Sequence, residues 1–274
     1  MSNIRVAAKR FIAVAAVASL SFLSACSNTS SPDSSTSSPA TASATAAAPA
    51  DEVTIYLTRH GQTWFNLLGR GQGWSDTPLT EKGEAIALKL GEGLNSAGVE
   101  FDSVYSGDMV RHFTTASLIL EGMKSDLEVT RVPDLREIAF GGFEGMPNSE
   151  ALEIILEHTG AASMEELVVE GKSPNLQLAK YLKEANPDPL LKAESPEEVA
   201  ERAQGALDKI ASEEGAKGHD TILVVTSGLT VQILLDSMGY NVEHEIENAS
   251  ITTLVYSDGE WRIDGVGDTS LIDD

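Results

Sequence analysis

The fold is indicated most strongly by residues 59–83, RHGQTWFNLLGRGQGWSDTPLTEKG. This stretch follows residues 53–58, an apolar and β-branched run that predicts a buried strand ending at a tight loop. A charged Arg59-His60 pair directly after a buried strand is costly unless it is solvated or has a function. Gly61 predicts a tight backbone turn that brings amide N–H groups towards an anion. The stretch therefore predicts an anion site at the end of a strand.

The rest of the chain predicts strands that alternate with helices. Helices are predicted over 81–97, 108–123, 196–213 and 229–238, and strands over 101–106, 127–132, 221–226, 251–256 and 261–266. This alternation indicates a three-layer α/β/α sandwich with a mostly parallel central sheet. Residues 146–195, with short helical patterns broken by Gly and Pro, predict an inserted helical lid. Ligands bind at the carboxyl ends of parallel strands, where Arg59, Ser106 and Ser227 are expected.

The first fifty residues predict an export signal and a tether. Residues 1–25 combine a basic start with a short apolar run, as in a secretory signal peptide. The sequence LSAC that ends at Cys26 resembles the bacterial lipoprotein cleavage box, in which the cysteine is lipidated; an ordinary signal peptide with a cysteine is the alternative. Residues 26–50 predict a flexible Ser/Thr/Ala/Pro-rich linker to a domain at 51–274. We expect a protein anchored through Cys26 to the bilayer, facing outside the cytoplasm.

Composition excludes several classes of partner. The formal net charge is −23, and the first 26 residues carry three cations and no acid, so their removal would make it more negative. Such a surface repels nucleic acid and anionic lipid head groups, and a phosphate site must therefore be a local cluster of cations. The single cysteine allows no internal disulfide. The histidines, at positions 60, 112, 158, 219 and 244, lack zinc-type spacing, so no metal or other cofactor is expected.

Several motifs, in order along the chain, resemble those of the histidine phosphatase superfamily, also called the phosphoglycerate-mutase-like family. The first is residues 59–83, and the others are Tyr105-Ser106 with Arg111 and Thr114-Thr115-Ala116, then REIAFGGFEG at 136–145, Glu194-Ser195 with Arg202, and Asn248-Ala249-Ser250. The resemblance covers essentially all of 53–266. It implies a phosphoryl-transfer activity on a small phosphorylated substrate, without a cofactor.

The resemblance also implies roles for individual residues. His60 would be the nucleophile that forms a phosphohistidine. Arg59 and Arg111 would bind phosphoryl oxygens, because a guanidinium group matches phosphate geometry. Glu137 would be the general acid for the leaving oxygen and then the base for the hydrolytic water. Taken singly, Arg111 also fits a surface salt bridge, and Glu137 a solvated loop carboxylate.

The chain departs from the family pattern at Ser227, in VVTSG at 224–228, where a second histidine is expected to donate a hydrogen bond to the phosphoryl group. Ser227 would bind phosphate through one neutral donor on a shorter side chain. Loss of a well-placed donor costs roughly 2.7–4 kcal/mol, or about 10²–10³ in rate. His112 is not favoured as a substitute, because on a helix it points about 100° away from Arg111. We expect Ser227→His to raise phosphatase activity.

Three functions fit these observations. The favoured one is an extracytoplasmic, membrane-anchored phosphatase that hydrolyses a small phosphomonoester, with activity reduced by Ser227. The alternative is a catalytically impaired pseudo-phosphatase that binds phosphorylated ligands. A phosphoglycerate-mutase-type phosphotransferase is less favoured, because an exported chain does not meet glycolytic substrates and the lid adds few cations. The side chains expected at the substrate rim are Asn66 and Gln72.

Overall fold

The computed structural model describes residues 50–273. The strands are β1 (Val53–Arg59), β2 (Ser103–Ser106), β3 (Val129–Arg131), β4 (Thr221–Thr226), β5 (Ile251–Ser257) and β6 (Glu260–Asp268). The helices are α1 (Trp64–Leu67), α2 (Glu81–Ser96), α3 (Val110–Met123), α4 (Asn148–Thr159), α5 (Met164–Leu167), α6 (Pro174–Ala179), α7 (Pro196–Gly215) and α8 (Gly228–Ser237). Two 3-10 turns, Pro133–Leu135 and Gly141–Phe143, lie between β3 and α4.

The six strands form one sheet in the order β3-β2-β4-β1-β5-β6. The first four strands of the chain are mutually parallel, whereas β5 runs antiparallel to β1 and β6 antiparallel to β5. The prediction of an α/β fold with a mostly parallel sheet is confirmed. In the register, Arg59 lies beside Thr226, and Ser106 beside Val225. The carboxyl ends of β1, β2 and β4 therefore share one edge, where β5 also begins.

The two faces of the sheet carry separate hydrophobic cores, as the alternation along β4 illustrates. Ile222 and Val224 pack into a core that includes side chains of α7, α8 and the lid. Leu223 and Val225 pack into a second core with side chains of α2 and α3. Because successive side chains of a strand point to opposite faces, the sheet is covered on both sides and the architecture has three layers.

The predicted starts of the helices at residues 81 and 196 match the structure. Thr80 caps α2 by accepting a hydrogen bond from Gly83 N (3.1 Å), and Ser195 forms a capping box with Glu198 at the start of α7. The end of α2 differs from the prediction, because the helix stops at Ser96. Ala97 is its exposed C-cap rather than part of the apolar face.

Other differences concern short elements. The edge strand β3 has three residues of the six predicted, since it pairs with β2 alone and over three positions. No pattern predicts α1, a four-residue helix held by a capping box between Thr63 and Asn66. The lid region contains the short helices α4, α5 and α6, as the Gly and Pro breaks indicate. Within residues 50–273, none of the helices has the length and apolar character that crossing a membrane requires.

The predictions for the N-terminal region concern a part of the chain outside the described residues. They are the signal peptide at 1–25, lipidation at Cys26 and nearly all of the linker at 26–50. They stay predictions.

Candidate active site

His60 lies at the carboxyl end of β1 and is held on three sides. Its backbone N donates to Thr226 O (3.0 Å), and Asn248 Nδ2 donates to its carbonyl oxygen (2.8 Å). Its ring Nδ1 lies 2.8 Å from Gly61 O. A carbonyl oxygen only accepts hydrogen bonds, so we assign the ring proton to Nδ1. The lone pair of Nε2 is thereby left available for a nucleophilic attack.

The surroundings of His60 keep its imidazole neutral. The ring is almost fully buried, and this burial is the main cause that lowers its pKa well below the usual value. The positive charges of Arg111 and then Arg59 lower the pKa further, while the hydrogen bond to Gly61 opposes them. A neutral imidazole is the form that has a free lone pair, and both guanidinium groups lie close enough to act on it.

Gly61 serves a different purpose from the predicted one. Its backbone does not adopt a positive φ. A Cβ atom at this position would lie 2.3 Å from Gly83 O in the first turn of α2, so the glycine permits a close backbone approach. Its N–H donates to Thr115 Oγ1 (3.0 Å) and is not free for an anion.

Arg59, the last residue of β1, lies at the carboxyl edge of the sheet. Its Nη1 donates to Glu245 Oε1 (2.8 Å) and to Ile246 O. Its Nε is buried and has no partner among the residues of the described domain. Gly228, at the start of α8, packs against this guanidinium group, and a Cβ there would lie 3.0 Å from Arg59 Cδ and Nε.

Arg111 is completely buried near the start of α3. Its Nη1 donates to Ser75 O (3.1 Å) and Asp76 Oδ1 (3.0 Å), and its Nη2 donates to Gly73 O (2.7 Å). An ion pair is therefore present, as the alternative interpretation proposed, but it is buried rather than on the surface. Like that of Arg59, the Nε of Arg111 has no partner within residues 50–273. Buried donors without a partner are rare, and here two of them belong to cations that flank His60.

Glu137 is buried rather than a solvated loop carboxylate. Its Oε1 accepts from Ile138 N and Thr230 Oγ1, both at 2.9 Å. Its Oε2 accepts from Leu229 N (3.1 Å) in the first turn of α8. The charge of Glu137 acts on Arg111, so the carboxylate is close to the same cluster. Arg59, His60 and Glu137 all line one pocket of about 230 Å³.

Two further carboxylates hold the site, although sequence reasoning assigned them no such task. Glu144 accepts from the backbone N of Gly73 (3.1 Å), Trp74 (2.6 Å) and Ser75 (2.9 Å), and thereby holds the loop that binds Arg111. Glu194 accepts a hydrogen bond from the backbone N of Ala139 (3.0 Å), two residues after Glu137 in the chain. Glu144 and Glu194 lie in two of the motifs quoted above, so the resemblance was the signal that could have found them.

Arg202 holds the segment that carries Glu137. In the sequence, this residue belongs to the motif of Glu194-Ser195 with Arg202 at the start of α7, which gave it no separate role. Its Nη1 donates to the carbonyl oxygens of Asp134 (2.7 Å) and Arg136 (2.9 Å), and its Nη2 to Glu137 O (3.0 Å) and Glu194 Oε2 (2.8 Å). One guanidinium group thus fixes three carbonyl groups around the proposed acid.

The predicted rim residues, Asn66 and Gln72, both line the pocket. Asn66 belongs to the capping box of α1. The carboxamide of Gln72 is held by Thr63 Oγ1, which donates to its Oε1 (2.5 Å), and by Thr77 Oγ1, which accepts from its Nε2 (2.9 Å). The structure brings the two side chains to the same pocket as His60.

Ser227 makes an unexpected contact. Its Oγ lies 2.6 Å from Nε2 of His112, and both residues are fully buried. The ring of His112 lies 5.5 Å from that of His60. The helical offset of His112 from Arg111 directs its side chain towards the end of β4 rather than away from the site. Ser227→His alone is therefore not expected to raise phosphatase activity, because an imidazole at position 227 would collide with that of His112.

Metal-ligating side chains do not gather around this pocket. Among residues 50–273, no group of three or more His, Cys, Asp or Glu side chains is arranged to hold an ion. The cationic character of the site is supplied by arginine side chains.

The fold and the site define the chain as an α/β protein with a buried histidine between two arginines at the carboxyl edge of its sheet. The family model of the histidine phosphatase superfamily (branch 1) matches residues 55–269. The chain therefore belongs to this superfamily, whose members are phosphatases or mutases.

Individual relatives include both activities. A broad-specificity phosphatase of Saccharomyces cerevisiae is 27% identical over 81% of this chain and 88% of its own length. A 2,3-bisphosphoglycerate-dependent phosphoglycerate mutase of Bartonella henselae is 41% identical over 36% of this chain, and the match spans only about half, 48%, of that relative. The crystal structure of a phosphoglycerate mutase from Bacillus anthracis is similar with a TM-score of 0.73 and 36% identity, over 82% of this chain and 96% of the other.

Proposed function

We propose that the protein is a phosphomonoesterase that hydrolyses a small phosphate ester through a phosphohistidine on His60. The observation that carries this proposal is the neutral, buried imidazole of His60 between two guanidinium groups, each with a buried Nε that has no partner in the described domain. These donors suit a phosphoryl group, because charge-assisted hydrogen bonds from arginine to phosphate are strong. Phosphoryl transfer depends mostly on positioning and charge neutralisation, which this arrangement supplies.

In the proposed reaction, His60 and Glu137 act in turn. Nε2 of His60 attacks phosphorus, the bond from phosphorus to the ester oxygen breaks, and the proton of Glu137 passes to the leaving oxygen. Water then attacks the phosphohistidine while the Glu137 carboxylate takes its proton. Inorganic phosphate leaves, His60 is neutral again and Glu137 is protonated again, so the cycle closes. Arg59 and Arg111 neutralise the phosphoryl oxygens throughout.

The pocket walls favour an ester with an apolar alcohol part. Beyond the polar end around His60, the pocket is lined by side chains of the lid and α8, among them Leu152, Ile155, Leu178, Leu182 and Leu229. A hydrophobic wall of this kind contacts an aryl or alkyl group favourably and offers nothing to a second phosphate. We therefore propose a monophosphate ester with an apolar group as the substrate class.

A mutase acting on a bisphosphorylated sugar acid is less well supported. The lid lysines do not line the pocket. Each is engaged elsewhere: Lys172 with Asp236, Lys180 with Gln177, Lys183 with Glu198 and Lys192 with Glu194. The pocket adds Arg70 to the cations of the site, but it is also lined by Glu245, whose carboxylate pairs with Arg59.

The test of the proposed activity compares phosphate release from aryl and alkyl phosphates by the full chain and by its His60→Ala variant. We expect His60→Ala to lose activity by at least about 10³-fold, because it removes the nucleophile. His158→Ala, which changes an exposed lid histidine, is the matched control and should keep its rate. Acid-labile labelling by a radioactive substrate should appear in the wild type only. Equal rates with and without His60 would refute the proposal.

A non-catalytic binding module is the second candidate, and Ser227 is the observation that favours it. Such a protein would bind vanadate or phosphate, with a raised melting temperature, and release no phosphate from any ester of the panel. The same experiment therefore separates the two functions.

The location outside the cytoplasm is proposed from residues 1–26 alone. We propose that the mature chain is lipidated on Cys26 and faces outwards from the membrane. Fractionation of cells that express the wild type or Cys26→Ser tests this. The wild type should sediment with membranes and be accessible to protease in intact spheroplasts, whereas Cys26→Ser should not be held by membranes. Equal partitioning of the two proteins would contradict lipidation.

A further inference from the structure

The buried pair of His112 and Ser227 is the polar contact near His60 that the proposed reaction does not use. The two residues are 115 positions apart in the chain and meet at 2.6 Å between Nε2 and Oγ. His112 is the third residue from the start of α3, and Ser227 is the N-cap of α8. Ser227 makes no capping hydrogen bond, so its hydroxyl group is not occupied by the helix.

The surroundings of the pair are shaped to contain an imidazole. A Cβ atom at Gly107 would lie only 2.2 Å from His112 Nδ1, so any larger residue there would displace the ring. On the other side, the small side chain of Ser227 leaves room for Nε2. The imidazole that the family pattern would place at 227 is therefore absent, while another imidazole from α3 occupies the adjoining space.

The hydrogen-bond partners of His112 indicate which nitrogen carries its proton. Burial, followed by the positive charge of Arg111 and then that of Arg136, lowers its pKa well below the usual value, so the ring carries one proton. Nδ1 has no partner among the described residues. A buried N–H without an acceptor is costlier and rarer than an acceptor without a donor. The favoured tautomer therefore carries the proton on Nε2, which donates to Ser227 Oγ.

This tautomer leaves the hydroxyl proton of Ser227 free to donate. We propose that His112 is a positioning residue that orients Ser227 Oγ–H towards a phosphoryl oxygen held at His60, and that the pair takes the place of the missing second histidine. The proposal rests on the proposed function. A fixed donor in a buried site needs no reorganisation during the reaction, and successive hydrogen bonds polarise one another.

The first test is the tautomer of His112 in the wild-type protein. Nitrogen NMR of a ¹⁵N-histidine-labelled sample, assigned by comparison with His112→Gln, distinguishes a protonated Nε2 from a protonated Nδ1. A proton on Nε2 supports the proposal. A proton on Nδ1 overturns it, because Ser227 would then donate to His112 and have no proton left for phosphate.

The second test measures kcat, KM and the affinity for vanadate in Ser227 and His112 variants of the full chain. Ser227→Ala should lower kcat by about 10²-fold with little change in KM, because the donor acts mainly in the transition state. Ser227→Thr keeps a hydroxyl and should recover most of this loss. His112→Ala combined with Ser227→Ala should be no worse than Ser227→Ala alone. The double variant of His112→Ala and Ser227→His returns an imidazole to the end of β4. Its kcat should be higher than that of His112→Ala alone.

The remaining outcomes are equally decisive. Wild-type kcat and vanadate affinity in Ser227→Ala would overturn the proposal, and so would losses in the double variant that equal the product of the two single losses. If wild type and His60→Ala both fail to turn over any ester, the proposed phosphatase activity fails. The vanadate dissociation constant, measured by calorimetry, still tests the proposed role of His112 and Ser227. An increase of about tenfold in Ser227→Ala, or about 1.4 kcal/mol, supports this role, and an unchanged dissociation constant overturns it.

Discussion

The carboxyl group of Glu137 is positioned by Ile138, Leu229 and Thr230. Glu137→Gln keeps the shape of the side chain, but a carboxamide neither gives a proton to a leaving oxygen nor takes one from water. We expect kcat for an alkyl phosphate to fall by about 10²–10⁴-fold. For a nitrophenyl phosphate, a burst of nitrophenol should persist, because this leaving group departs without protonation. Steady-state and stopped-flow assays measure the two effects.

The control for this substitution is Glu128→Gln, which makes the same chemical change at an exposed position between α3 and β3. It should leave both assays unchanged. An undiminished rate on alkyl phosphates in Glu137→Gln would show that another group supplies the proton.

The positions of Arg59, His60 and Ser227 could be predicted from the sequence because each of them ends or follows an apolar strand. Arg59 ends β1, His60 follows it, and Ser227 follows β4 directly. Their roles rest on the family resemblance and stay predictions. Their additional partners could not be predicted. The contact of His112 with Ser227 and the carbonyl contacts of Arg111 depend on how distant loops pack, and no local pattern encodes this packing.

Packing of α2 against α3 depends on two glycines that face each other. A Cβ at Gly91 would lie 2.1 Å from Ile119 O, and one at Gly122 would lie 2.3 Å from Leu88 O. Overpacking of this kind forces backbone shifts, so we expect Gly91→Ala to lower the free energy of unfolding by about 1–3 kcal/mol. Urea denaturation of the two proteins measures the change.

The matched control is Gly205→Ala in the interior of α7. This glycine is exposed and has no atom within 4 Å of a built Cβ. Alanine loses less backbone entropy than glycine in a helix, so the same substitution should raise the free energy of unfolding here by about 0.5–1 kcal/mol. A change of the same sign in the free energy of unfolding of both variants would contradict the proposed role of close packing between α2 and α3.

Helices were predicted more accurately than edge strands for a physical reason. The starts of α2 and α7 are encoded by local caps, at Thr80 and Ser195, which act within one turn. The length of β3 is set by how far it pairs with β2, which is a property of the sheet. The short helices of residues 146–195 were predicted from breaks at Gly and Pro, whereas their apolar lining of the pocket required the assembled fold.

The charge of the whole chain and the charge of its site have opposite signs. The chain carries −23, yet the pocket brings Arg59 and Arg70 to the same hollow, with Arg111 buried beside His60. We therefore expect an anionic ester to be repelled at long range and attracted at short range. Since salt screens the long-range term beyond about 8–10 Å, the value of kcat/KM for an anionic ester should increase when the ionic strength is raised moderately.

Two buried histidines also couple the stability of the whole protein to pH. Burial and nearby arginines lower the pKa of His60 and of His112 well below the value near 6.5 of an unfolded chain. Below about pH 6.5, the unfolded chain therefore binds protons that the folded protein does not bind, and the free energy of unfolding must decrease as the pH falls. Each such histidine contributes a slope of at most about 1.36 kcal/mol per pH unit. Urea denaturation between pH 7.5 and 5 should show this decrease.

Replacement of one of the two histidines isolates its share of the slope. His112→Gln removes a titrating group that is neutral in the folded protein, so the free energy of unfolding should fall less steeply with decreasing pH, whatever the absolute stability of the variant. The control is His158→Gln, which makes the same substitution at an exposed position and keeps both buried histidines, so its slope should remain steeper than that of His112→Gln. A slope in His112→Gln equal to that of the wild type would mean that His112 takes up a proton in the folded protein. Its ring would then have to donate from both nitrogens in a buried site where only Nε2 has a partner within residues 50–273.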